Sequence, residues 1–213
     1  MSRRGAENVV IVDAGVGNLG NVRRAFEAVG ARALVTSDPA AVAAAERLVL
    51  PGVGAFRPPR ERLRGALEGA LCEALASGAY LLGICVWFQL LFEASEEHGA
   101  CDGLGLLSGR VTALPESVER PQIGWNRLRH LKTHPLLAGV GEGSFAYFVH
   151  SYAPEGVPAE DVLAETLHGR SFPALAARGR VAGAQFHPEK SGAAGLRLLK
   201  NFVEVKDGAS PGP

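Results

Sequence analysis

Three short stretches carry the residue types of covalent acyl chemistry: "PGVGAF" at 51–56, "GICVWFQ" at 83–89 and "FHPEKS" at 186–191. Each follows an apolar run of strand-like length. In a parallel sheet, turns of this kind can share one edge, which would bring Cys85, His187 and Glu189 together despite their separation in the chain. A thiol at a helix N-terminus beside a histidine has its thiolate favoured by the helix dipole and by the imidazolium. Cys85 would then be a nucleophile, His187 the proton carrier to the leaving group, and Glu189 the carboxylate that orients the imidazole. The oxyanion of such an attack needs N–H donors, for which the glycines of "PGVG" and the N–H of Val86 are candidates.

Each residue also has a plainer reading. A cysteine in an apolar run can be a small buried hydrophobe, which is the reading kept for Cys72 and Cys101. His187 could simply end a strand before Pro188. His130 and His134 have metal-like spacing, but no acidic or cysteine partner accompanies them and Pro135 follows directly, so no metal site is expected. Gly15-x-Gly17-x-x-Gly20 imitates a dinucleotide fingerprint without an acidic ribose partner after a second strand; Asp38 reads as a helix cap instead.

The elements that must position these groups follow from the apolar pattern. "NVVIVD" reads as a buried strand, followed by a glycine-rich turn and a helix ending at Gly30. "ARALVTS" is a second strand, "DPAAVAAAE" a helix with Asp38 as N-cap and Pro39 at its first position, and "RLVLPG" a third strand. A helical segment from Glu61 to Ser77, a strand "AYLLGI" and a helix from Val86 to Glu93 complete a βα alternation, which implies a mainly parallel sheet with functional groups at its carboxyl edge. After Gly103 short strand-like runs separated by Gly and Pro predict antiparallel or mixed strands, and Ala193 to Val205 a final helix.

The 213 residues fit one domain over 1–205, with "KDGASPGP" at the end lacking core-forming residues. Lys plus Arg and Asp plus Glu both number 22, so nothing points to nucleic acid or an anionic membrane. Three cysteines without CxxC spacing predict neither a disulfide framework nor a zinc knuckle and fit a reducing cytoplasm. No apolar run approaches the ~20 residues of a membrane span, and the N-terminal one is too short for a signal peptide.

Taken together, "PGVGAF", "GIC" with "QLLFE", "GLGLLSGRV", "PQIGWN", "YFVHSY" and "QFHPEKS" resemble the class I, or triad, glutamine amidotransferases, most closely the glutaminase subunits of imidazole glycerol phosphate synthase in histidine biosynthesis. The resemblance spans roughly residues 8 to 205. It implies a flavodoxin-like α/β fold and hydrolysis of glutamine to glutamate and ammonia through a cysteinyl thioester. Ammonia would pass to a (β/α)₈-barrel cyclase subunit in a heterodimer, with no metal or organic cofactor. It further implies Cys85, His187 and Glu189 as triad, Gly52 with Val53 as a mobile oxyanion strand, and Gln89, Ser151 and Tyr152 around the substrate glutamine. Asn18, Trp125, Tyr147 and Lys190 would face the cyclase, Trp125 having core packing as its alternative.

Two departures flank the oxyanion site. The family carries glycine where Trp87 stands, so the indole must displace neighbours, at ~1–3 kcal/mol, or swing outward, and could tilt the Val86 N–H. Arg57-Pro58-Pro59 follows "PGVGAF", and Pro58 biases Arg57 away from helical geometry, so the next helix is expected to start later. A weakened glutaminase that still binds the cyclase, and a flavodoxin-like module with a redox-sensing cysteine, are the competing readings.

Overall fold

A computed structural model describes residues 8–15 and 17–206. The expectations for the first seven residues and for the tail beyond Lys206 lie outside the described residues.

β1 (Asn8–Val12), α1 (Leu19–Ala28), β2 (Arg32–Thr36), α2 (Pro39–Ala43) and β3 (Arg47–Gly52) open the chain. The helices α3 (Arg57–Leu63) and α4 (Ala66–Ala76), the strand β4 (Tyr80–Cys85) and the helix α5 (Val86–Leu90) follow. Strands then dominate: β5 (Ala94–Ser95), β6 (Cys101–Asp102), β7 (Arg110–Ala113), β8 (Gln122–Arg127), β9 (Arg129–His130), β10 (Phe145–His150) and β11 (Tyr152–Glu155). The chain closes with β12 (Val162–His168), β13 (Arg170–Arg178), β14 (Val181–Ala184) and α6 (Gly192–Glu204).

The main sheet has the order β2-β1-β3-β4-β14-β13-β12-β9. Its first five strands pair in parallel and the last three join antiparallel, so the sheet is mixed, as the change of texture after Gly103 predicts. A second sheet runs β11-β7-β5-β6, and β8 with β10 forms a separate antiparallel ribbon.

The central strands are apolar on both faces because helices cover both. Val9, Ile11, Val49 and Leu82 point into a core with Val22 and Phe26 of α1 and Leu198 and Phe202 of α6. Val10, Val12, Leu48, Leu50 and Leu81 point the other way, against Val42, Leu63, Leu71, Trp87 and Phe88. Each such side chain contributes about 1.5–3 kcal/mol when fully buried, so the alternation along each strand fixes its register. α5 sits on the sheet only because two paired glycines lie beneath it. A Cβ at Gly83 would stand 2.8 Å from the Trp87 carbonyl oxygen, and one at Gly183 would stand within the Phe88 ring's contact distance.

Several helix boundaries differ from the sequence expectation, among them that of α2, which ends at Ala43, short of Glu46. The segment from Glu61 to Ser77 is broken between α3 and α4, where Gly65 takes φ +89° and turns the chain. α5 stops at Leu90 rather than Glu93, because the Glu93 N–H is drawn to the Gly109 carbonyl at 3.1 Å. α3 starts at Arg57, not later. Pro58 and Pro59 fill its first turn, where N–H groups have no intrahelical acceptor, and the Phe56 N–H before it donates to Glu97 Oε2 at 2.7 Å. Asp38 caps α2 as expected, its Oδ1 accepting from the Ala40 N–H.

Candidate active site

β3, β4 and β14 are adjacent and parallel, so "PGVGAF", "GICVWFQ" and "FHPEKS" leave the sheet side by side at its carboxyl edge. Gly52 is the direct register partner of Cys85. Cys85 itself is at φ +57°, ψ −112°, a conformation that a non-glycine residue adopts only when its surroundings impose it. The twist turns the chain from β4 into α5 within one residue and leaves the sulfur at the N-terminus of that helix, 4% exposed. Its thiol donates to the Val149 carbonyl at 3.8 Å.

His187 and Glu189 occupy the turn after β14, where Pro188 begins a short 3-10 helix. His187 Nδ1 lies 2.8 Å from Glu189 Oε1, with the two side chains only 2% and 3% exposed. Nε2 is buried, has no oxygen or nitrogen partner among the described residues, and faces the neighbouring Cys85 sulfur. Burial opposes the imidazolium, but hydrogen bonding and charge from Cys85 and Glu189 outweigh it and hold the His187 pKa at about 9. At neutral pH the ring therefore carries its proton, and such a cation stabilises a thiolate beside it.

The sign of the linkage follows. Unfolded histidine titrates near 6.5, so this gain in stability is complete below about pH 6.5 and is lost as the pH rises through about 9. The melting temperature is expected to fall across that interval, by at most about 3 kcal/mol of stability, and His187→Gln should flatten the slope. An unchanged slope in that variant would refute the assignment. His150 acts oppositely. Burial, against the help of the Tyr152 carbonyl, lowers its pKa to about 4, so its contribution is lost on acidification from about 6.5 toward 4.

Gly52 is buried, Val53 is 43% exposed, and Val86 is buried at the first position of α5, where its N–H has no intrahelical acceptor. Trp87 neither swings outward nor forces the strand aside. It is fully buried, and its ring occupies the space that a side chain at Gly52 would need, with Cδ1 2.6 Å from the position of a Cβ there. The small neighbour is Gly52 itself. Gly17 packs on the same segment from the β1 side, where a Cβ would stand 2.9 Å from the Pro51 carbonyl oxygen, so the glycine-rich turn serves close packing.

Gln89 is 4% exposed, and its amide donates inward to the Tyr152 carbonyl at 2.8 Å and to Gln185 Oε1 at 3.1 Å. The Tyr152 carbonyl also meets His150 Nδ1 at 2.8 Å, so Gln89 and His150 together fix the half-buried Ser151–Tyr152 shelf from beneath. His150 and Gln185 lie within "YFVHSY" and "QFHPEKS", yet no role for them or for Glu97 follows from residue type alone. Only the alternation in "YFVHSY" signals His150, since Ala146, Phe148 and His150 face inward while Phe145, Tyr147 and Val149 face outward.

That outward face is apolar. Trp125 (53% exposed) meets Tyr147 edge-on at 5.9 Å, Ile123 is 65% exposed, and Lys190 Nζ lies 5.6 Å over the Tyr147 ring. Trp125 is thus a surface residue, not core. The Tyr147 carbonyl accepts the His187 N–H at 2.9 Å and the Tyr147 N–H donates to Ser191 Oγ at 3.0 Å, so β10 touches both the surface and the His187 turn. Asn18, exposed beyond β1, caps α1 through Oδ1 to the Asn21 N–H. Among the described residues no group of three His, Cys, Asp or Glu could hold a metal, and no helix is long and apolar enough to cross a membrane.

A strained cysteine at a strand-to-helix turn, backed by a buried His–carboxylate pair in the turn after a neighbouring strand, suits acyl transfer through a thioester. The glutamine amidotransferase class-I family matches residues 10–205, and the chain belongs to that family. It is 51% identical to the imidazole glycerol phosphate synthase subunit HisH of Symbiobacterium thermophilum, covering 91% of this chain and 92% of that one. It is 48% identical to the HisH subunit of Salinibacter ruber, covering 92% and 93%, and 44% identical to that of Methanosarcina acetivorans, covering 93% and 99%. Among solved structures, PurLQS from Thermotoga maritima superposes with a TM-score of 0.73 at 18% identity, covering 93% of this chain and 98% of that one; this likeness concerns the fold.

Proposed function

We propose that this chain is the glutaminase subunit of an imidazole glycerol phosphate synthase, acting in histidine biosynthesis. The carrying observation is the His187–Glu189 pair at 2.8 Å, held next to Cys85 at the common edge of three parallel strands. Its similarity to HisH subunits over nearly its whole length supports the specific reaction.

In this reading Cys85 Sγ bonds to the side-chain carbonyl carbon of glutamine while the oxygen becomes an oxyanion held by N–H groups of Val53 and Val86. The His187 Nε2 proton goes to the nitrogen, the C–N bond breaks, and ammonia leaves a thioester. Water then attacks the thioester with His187 Nε2 taking its proton, and glutamate departs as the Cys85 thiolate is restored beside the protonated ring. Glu189 keeps Nε2 aimed at the sulfur throughout. Ser151 and Tyr152 line the substrate, and Gln89 holds them in place.

Ammonia is captured as ammonium in water, which makes a sealed passage to a consuming subunit necessary. The ribbon face of Ile123, Trp125 and Tyr147, with Lys190 beside it and Asn18 on the same edge, is the docking surface assigned to a (β/α)₈-barrel cyclase. The buried Trp87, seated over Gly52 without displacing β3, favours an active glutaminase over a weakened one.

The test is glutamate formation by the purified chain with and without the cyclase subunit. A strong rise on mixing, together with labelling of Cys85 alone by a diazo ketone analogue of glutamine, is expected. Background turnover in a complex that forms normally would overturn the proposal.

A further inference from the structure

Trp87 is fully buried, yet its indole N–H has no hydrogen-bond partner among the described residues. Buried donors are nearly always paired, and a phenylalanine would fill similar space without the unpaired group. The N–H lies against the oxyanion segment: a Cβ at Gly52 would stand 2.7 Å from Trp87 Nε1. The peptide joining Gly52 to Val53 has glycine on one side and an exposed residue on the other, followed by Gly54 at φ +101°. Its plane can therefore turn with little steric resistance.

Turning that peptide exchanges the directions of the Val53 N–H and the Gly52 carbonyl. An oxyanion on the Cys85 side requires the N–H there. The Gly52 carbonyl leaves the Cys85 side as the peptide turns, and the unpaired indole N–H, packed against Gly52, is a donor within reach of that segment.

We propose that Trp87 is a positioning residue for the oxyanion, its Nε1–H donating to the Gly52 carbonyl in the arrangement that turns the Val53 N–H toward Cys85. This rests on the glutaminase reading above. The indole is thus a latch that favours the working state of the strand. It acts through Gly52 and touches no substrate.

Trp87→Phe keeps most of the ring and removes the donor. In complex with the cyclase subunit it is expected to lower kcat for glutamine hydrolysis about threefold to tenfold, the worth of one net hydrogen bond, with KM unchanged. A change in melting temperature with kcat unaltered would show a packing role alone and overturn the proposal.

A second measurement works on the unaltered chain. It has two tryptophans, so ¹⁵N labelling of this subunit yields two indole signals, assigned with Trp125→Phe. When Cys85 is alkylated by the diazo ketone analogue of glutamine, the Trp87 indole proton should move downfield and exchange more slowly. An unmoved signal in fully alkylated protein overturns the latch while leaving the glutaminase intact. Failure of Cys85 to react overturns the glutaminase reading, and the latch with it.

Discussion

Cys85→Ala is expected to lower glutamine hydrolysis by about 10⁴–10⁶-fold while leaving the complex with the cyclase subunit intact. The sulfur is the only atom on this turn that can form the thioester, whereas its contribution to packing is one weak bond to the Val149 carbonyl at 3.8 Å. Alanine keeps the Cβ, so the backbone at φ +57° is no more strained than before. Glutamate release is measured in the reconstituted complex, and complex formation by titration of one subunit with the other. The ribbon that carries Trp125 and Tyr147 is built from β8 and β10 and does not depend on the thiol. Turnover within tenfold of the unaltered protein would exclude Cys85 as nucleophile. The buried Cys101 and the exposed Cys72 would then need testing in the same way.

Glu189→Gln is expected to cost about 10³–10⁴-fold in kcat, with a smaller change in KM. The carboxylate accepts from His187 Nδ1–H and so leaves Nε2 facing Cys85; an amide can present its NH₂ group and invert that preference. It also removes an anion that helps hold the His187 pKa at about 9. The pKa should fall toward the ordinary histidine range, and the loss of stability between pH 6.5 and 9 should shrink accordingly. The two readouts are independent. A variant with full activity but an altered pH slope would make Glu189 a structural partner only. A variant with neither effect would remove it from the site.

The candidate site was legible in the sequence because its members sit at strand ends, where apolar runs stop and glycine or proline turns begin. "PGVGAF", "GICVWFQ" and "FHPEKS" could be aligned on one edge as soon as β3, β4 and β14 were read as parallel. The helix at 57–63 starts earlier than expected because the restriction from Pro58 is a local steric bias. In the fold it is outweighed by the Phe56–Glu97 bond and by burial of Pro59, contacts between segments far apart in sequence. The apolar spacing continues from α3 into α4 through Gly65 and so gives no sign of the break there.

Gln89 shows the limit more sharply. Its residue type and its place after Cys85 mark it as important, but its amide bonds the Tyr152 carbonyl on β11 and Gln185 just past β14, both far away in the sequence. Trp87 likewise looked like an obstacle on the scale of α5 alone.

What the sequence by itself determined is the set of reactive groups, the turns that carry them and the alternation that orders the sheet, because residue type and apolar period act locally. Only the tertiary structure decided that the Trp87 ring fills the space over Gly52, that Gln89 and His150 brace the Ser151–Tyr152 shelf, and that Trp125 faces outward. Each of these depends on which strands become neighbours, and that is settled by burial of both faces of the sheet at once.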